Sequence, residues 1–257
     1  MLKIIPLPAL KDNYIWLIIH TNSHHCLIID PGAAKPVLTA LAHHALQPLG
    51  ILLTHHHADH VQGVAEILEH FAMPVFGPER DNIPSVTHSL QDQTPLSFSE
   101  MSLSLQTLAI PGHTLGHMAY YGAGRLFSGD TLFTGGCGRV FEGTPTQMYH
   151  SLQKLAQLPS DTLVYCGHEY TLQNLQFAQR VEPHNSAITE RVLSARAAQA
   201  QQIPTVPAPL SLELQTNPFL RCDQPTVREA AIQHAGKSLS TAEEVFATIR
   251  AWKNSAT

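Results

Sequence analysis

The chain has 257 residues, 44% of them hydrophobic and 14% charged, with a formal net charge of −5. This is ample for a buried core in one large domain, or a large one with an appendage, and it excludes a disordered or coiled-coil protein. The acidic balance, without basic clusters, argues against a nucleic-acid surface.

The four cysteines, Cys26, Cys137, Cys166 and Cys222, form no close pair and no metal-knuckle spacing. They read as reduced thiols of a cytoplasmic protein. No basic segment followed by an apolar stretch and a cleavage site opens the chain, and no apolar run approaches membrane-spanning length, so neither export nor a membrane partner is expected.

In chain order, apolar runs at 15–19 and 26–30 predict strands, the second closed by Pro31-Gly32. Three- and four-residue spacing of apolar side chains predicts helices over 35–46 and 61–71, with a buried strand at 49–53 between them. Strands follow at 102–108 and 117–121, and short apolar runs precede Asp130 and Cys166. A helix over 145–158 has Thr144 as its N-cap and Pro145 at its first position. Beyond residue 170 strand signals fade. Helices are expected at 171–181, 187–202, 226–234 and 241–252, with a proline-rich link at 203–209. The chain therefore divides into an α/β domain over 1–170 and a smaller helical domain over 171–257.

The most informative segment is Thr54-His55-His56-His57-Ala58-Asp59-His60, directly after the strand at 49–53. On extended backbone, residues two apart face the same side, so His55 and His57 can grip one ion together. His56 faces away and is not expected to be a ligand. Asp59 and His60 fall where the backbone turns into a helix, and can face a second ion. Imidazole and carboxylate suit divalent zinc, iron or manganese. With 17 histidines in the chain, chance clusters also occur, and His24-His25 and His43-His44 are assigned no role.

Three later segments repeat one pattern, a strand followed by a glycine and a polar ligand: Pro111-Gly112-His113, Gly129-Asp130 and Gly167-His168. Glycine lets the backbone approach closely, and ligands at several strand ends converge on one sheet edge. His117, at the start of a strand, reads as a structural or outer histidine.

These residues resemble the metallo-β-lactamase superfamily, which carries His-x-His-x-Asp-His, a distant histidine, an aspartate and a last histidine in that order. The segments Asp12-Asn13-Tyr14-Ile15-Trp16, Gly135 to Thr144, Cys166-Gly167-His168-Glu169-Tyr170-Thr171 and Asn217-Pro218-Phe219-Leu220-Arg221 are similar to those of the glyoxalase II branch, the hydroxyacylglutathione hydrolases. The resemblance implies an αββα sandwich of two mixed sheets, followed by the smaller helical domain, which binds substrate. It implies two metal ions per chain, zinc foremost, with iron or manganese as alternatives. His55, His57 and His113 would hold one ion, Asp59, His60 and His168 the other, and Asp130 would bridge both. Two such cations lower the pKa of a water between them, by analogy with a single zinc that brings it to roughly 7. That water is the expected nucleophile, with Asp59 and Asp130 as the catalytic carboxylates.

The implied substrate is a glutathione thioester, typically S-D-lactoylglutathione, cleaved to glutathione and D-lactate. Its thiolate leaves readily, so no strong acid is needed on the sulfur side. Arg250 and Lys253 match the cations that bind the glycine carboxylate of glutathione. Arg139 and Tyr170 match further substrate residues, and Phe141 stands where some members carry a tyrosine. The expected enzyme is a monomer acting on a small molecule. The rival readings are a nucleic-acid-processing or lactam-cleaving hydrolase of the same superfamily, and a metal-binding protein without turnover. The first lacks a basic surface, the second an export signal, and the third is disfavoured by an all nitrogen-and-oxygen ligand set.

Overall fold

The structure, a computed structural model, describes residues 1–256. It contains two compact units: Met1–Ala109 with Thr114–Gly129, and Ile110–His113 with the chain from Asp130 onward. The architecture is that of mixed sheets with helices, followed by a C-terminal helical region.

In the first unit β1 (Leu2–Ala9), β2 (Asn13–His20) and β3 (His25–Ile29) pair antiparallel. Helix α1 (Ala34–His43) then crosses to β4 (Gln47–Leu52), which runs parallel to β3. Helices α2 (Ala58–Val61) and α3 (Val64–His70) cross again to β5 (Val75–Pro78), which is followed by β6 (His88–Leu90). The parallel pairings continue through β5 and β6. β2 is buried along almost its whole length because both of its faces are covered. Val37, Ala40 and Leu41 of α1 share one core with Ile15, Leu17, Ile28 and Ile51 of the sheet.

β7 (Pro95–Phe98), β8 (Leu103–Ala109), β9 (Met118–Gly122) and β10 (Arg125–Gly129) pair in sequence order, each antiparallel to the next. In β8 Leu103 and Leu105 are buried while Ser104 and Gln106 are exposed, the alternation of a half-covered sheet. The Tyr120 hydroxyl donates to the Leu53 carbonyl at 2.6 Å and the Met118 amide to the Thr54 carbonyl at 2.9 Å. β9 therefore anchors the carboxyl end of β4, where the histidine run begins.

The structure departs from the sequence expectations here, and β5, β6 and β7 were not foreseen. The helix expected over 61–71 is two helices, because Gly63 breaks the pattern. Its amide donates to the Pro31 carbonyl at 2.9 Å, and a Cβ there would lie 2.5 Å from that oxygen. β1 was not foreseen, since Pro6 and Pro8 weaken a strand signal and are tolerated at a sheet edge.

In the second unit β11 (Leu132–Phe133) and β12 (Gly136–Cys137) form a hairpin. Its turn includes Gly135 at φ +69°, a left-handed conformation that suits glycine. Helix α4 (Pro145–Ala156) has the expected Thr144 cap, extended to a full capping box with Gln147. β13 (Leu163–Cys166), α5 (Thr171–Val181) and α6 (Ser186–Ala200) follow. The proline-rich link ends in β14 (Ala208–Pro209), which pairs antiparallel with β13.

Helix α7 (Leu210–Thr216) was not foreseen. It is held by tertiary bonds: Glu213, fully buried, pairs with Arg191 and accepts from the Gly135 amide at 2.8 Å. Helices α8 (Pro225–Ala235) and α9 (Ala242–Ser255) complete the unit. Among the described residues no helix is long and apolar enough to cross a membrane.

Candidate metal centre

Each unit carries its own cluster of candidate ligands. In the first, the backbone bends at Thr54 on leaving β4, and the irregular segment after it brings the His55 and His57 rings together. His55 Nε2 lies 3.1 Å from His57 Nδ1. A tetrahedral cation with bonds of roughly 2.0–2.1 Å sets its ligand nitrogens roughly 3.3 Å apart, so this pair fits one ion. The other nitrogen of His55 faces Thr54 Oγ1 at 3.0 Å.

Asp59 and His60 lie on α2, the turn into the following helix. Asn13 Nδ2 donates to Asp59 Oδ2 at 2.9 Å and fixes that carboxylate. His60 is buried, with Nδ1 3.0 Å from Asp30 Oδ2 and Nε2 3.5 Å from Asp59 Oδ2. Asp30 accepts in turn from the Thr54 amide at 2.8 Å and hydroxyl at 2.7 Å. The ligand atoms of Asp30, His55 and His60 lie within 4.8 Å of one another, as a metal-binding triplet would. Both Asp30 oxygens are nevertheless taken by Thr54 and His60. An Nδ1–H donating to Asp30 orients the His60 ring and makes Nε2 the unprotonated nitrogen. Sequence reasoning missed Asn13 and Asp30 as site residues. For Asp30 the available signal was a polar residue closing a buried strand, whereas Asn13 opens one.

In the second unit Asp130 Oδ2 lies 3.5 Å from His113 Nε2 and 3.2 Å from His168 Nε2. His113 Nδ1 lies 2.8 Å from the Arg139 carbonyl, which fixes the tautomer and turns Nε2 inward. Gly138 makes this approach possible, since a Cβ there would come within 1.9 Å of the Asp130 carbonyl oxygen. Tyr170 stacks on His168 at 4.7 Å and 5°, and Phe133 meets both rings edge-on. Phe141 is 61% exposed and sets its ring 5.2 Å from that of His113. Arg139 contributes its carbonyl, while the residue itself is exposed.

Arg250 and Lys253 are buried rather than solvated, at 5% and 7% exposure. Arg250 donates to the Cys137 carbonyl at 2.8 Å and the Gly138 carbonyl at 3.4 Å, and Lys253 bonds Asn174 Oδ1. Both cations lie over the Phe219 ring, at 5.1 and 5.7 Å from its centroid. Burial first, then the neighbouring Arg250 charge, lowers the Lys253 pKa to about 7. Asn217, whose segment the sequence reading matched without assigning a role, donates to the Phe133 and Gly136 carbonyls and so pins the β11–β12 hairpin.

Histidine and aspartate clusters of this composition can hold a metal ion. Residues 11–168 match the family model of the Metallo-beta-lactamase superfamily, and residues 169–256 match that of the Hydroxyacylglutathione hydrolase C-terminus. The solved structure of ETHE1 from Myxococcus xanthus shares the fold, with a TM-score of 0.66 and 22% identity over 100% of both chains. TTHA1623, solved in a di-iron-bound form, has a TM-score of 0.62 and 27% identity, covering 84% of this chain and 100% of that one. Fold and ligand chemistry together define a metallohydrolase of the metallo-β-lactamase superfamily. The hydroxyacylglutathione hydrolase of Nitrosomonas eutropha is 52% identical over 254 residues, 99% of each chain. That of Aeromonas hydrophila is 51% identical over 256 residues, again 99% of each. The chain belongs to the hydroxyacylglutathione hydrolase family.

Proposed function

We propose that this chain hydrolyses glutathione thioesters, S-D-lactoylglutathione foremost, to glutathione and the free hydroxy acid, as a cytoplasmic monomer. The observation that carries this reading is the match to relatives of that name over 99% of the chain, at about half identity. Within the reading, His55, His57 and His113 would hold a first ion, and Asp59, His60 and His168 a second. Asp130, whose Oδ2 lies 3.5 Å from His113 Nε2 and 3.2 Å from His168 Nε2, would be shared by them. The donor set suits zinc, iron or manganese. Such ions, when bound, lower the pKa of water toward roughly 7 and draw charge from a carbonyl oxygen.

The protein's own groups do the rest. Asp30 and the Arg139 carbonyl orient His60 and His113. Arg250 and Lys253 receive the glycine carboxylate, while Arg139, Phe141 and Tyr170 flank the substrate. Arg250 Nε supports this placement, since among the described residues it is buried without a hydrogen-bond partner. Such a donor is costly unless an anion completes it. Departure of a thiolate needs no protonating side chain. The test is thiol release from S-D-lactoylglutathione by purified protein, beside a lactam and an RNA. Turnover of the thioester alone is expected, whereas cleavage of the lactam or the RNA with an inert thioester contradicts the assignment.

A further inference from the structure

The histidine run and the segment that follows His113 are tied to one carboxylate with no part in the chemistry above. Asp81 ends the 3₁₀ turn Glu79–Asp81 that follows β5. Because β5 pairs in parallel with β4, Ile51 against Val75 and Leu52 against Phe76, the two strands exit on the same side of the sheet. Asp81 is thereby delivered beside the loop that leaves β4. Its Oδ2 accepts from the His56 amide and from the Thr114 hydroxyl, each at 3.0 Å. Its Oδ1 accepts from the Gly116 amide at 2.8 Å.

We propose that Asp81 is a positioning residue for the metal centre, a clamp that sets the spacing between the His55–His57 loop and the segment leaving His113. This rests on the reading that those three histidines are ligands. The His56 amide lies between two of them, so holding its peptide plane holds both flanking side chains in register. Thr114 directly follows the third.

The chemistry of the clamp requires a carboxylate. Three donors converge on it, and only a group with two acceptor oxygens satisfies all three. An asparagine in the same place, in either orientation, turns its NH2 toward a backbone N–H and leaves that amide unpaired. Gly116 is part of the same device, since a Cβ there would lie 2.2 Å from Asp81 Oδ1. Burial raises the pKa of the Asp81 carboxyl, and the bonds from Thr114, His56 and Gly116 oppose that rise. The half-buried charge is thus compensated by the groups it holds.

The test strips the full chain with a chelator and titrates it with cobalt(II) against a competing chelator, following both uptake and the ligand-field spectrum. Asp81→Asn should bind cobalt roughly 10–100-fold more weakly, the usual cost of losing an outer partner of a ligand, with an altered spectrum. Thr114→Val, which removes one of the three bonds and keeps the shape, should show a smaller loss in the same direction. It also serves as the test if Asp81→Asn does not fold. Parent-like affinity and spectrum in a folded variant overturn the clamp, even if that variant is less stable without metal. A parent protein that takes up no cobalt would instead remove the metal reading on which the clamp depends.

Discussion

Replacing Asp130 with alanine should abolish most thioester hydrolysis while the circular dichroism spectrum stays native-like. Asp130 Oδ2 lies within 3.5 Å of both His113 Nε2 and His168 Nε2, so one carboxylate serves two imidazoles. Removing it takes away the charge that would offset two cations at close range. The loss should exceed the roughly 10–100-fold typical of an outer-shell partner, because the proposed shared ligand would be lost outright. Metal content should fall with activity. A correctly folded variant with near-parent turnover would remove Asp130 from the ligand set.

The double variant Arg250→Ala/Lys253→Ala should raise KM far more than it lowers kcat. A remote carboxylate is held about equally in the ground and transition states, so the loss is of uniform binding. Charge-assisted bonds in a buried setting are worth about 1.5–3 kcal/mol each, or roughly 10–100-fold in affinity. Added salt should weaken binding to the parent more than to the variant.

A pH signature accompanies this. Lys253 has its pKa lowered to about 7 by burial and then by the Arg250 charge, with Cys137 opposing and Arg139 adding least. Only its charged form attracts a carboxylate, so the parent's KM should climb as pH rises above about 7, less steeply if bound substrate restores the proton. The unfolded lysine titrates near 10.4, so between these values the folded chain binds fewer protons and stability rises with pH. Denaturation midpoints at both ends of that window should show the rise in the parent and its reduction in the double variant. Unchanged KM and salt dependence in a metal-replete double variant would return both residues to a structural role.

Local pattern carried much of this in advance. The alternation of His55 and His57 and the turn at Asp59-His60 are short-range features, and the structure places these four side chains together within one unit. The Thr144 cap was legible for the same reason. Long-range partners were not. Asp30 reads as the end of a strand, and only the fold sets it against His60 and Thr54. Asp81 sits in a polar loop with no periodicity to mark it. Helix α7 depends on an ion pair between residues 22 positions apart. Arg250 and Lys253 share a helical face that propensity alone assigns to solvent, yet they are buried over Phe219. Resemblance pointed to them where pattern could not.

We infer that this chain is a metal-dependent thioester hydrolase whose ligand set holds two ions. The most direct measurement refills chelator-stripped protein stepwise with zinc, iron or manganese while following thiol release from S-D-lactoylglutathione. Turnover should be negligible without metal and should climb to a plateau near about two equivalents per chain. A plateau at about one equivalent, or full turnover by the stripped protein, would contradict it.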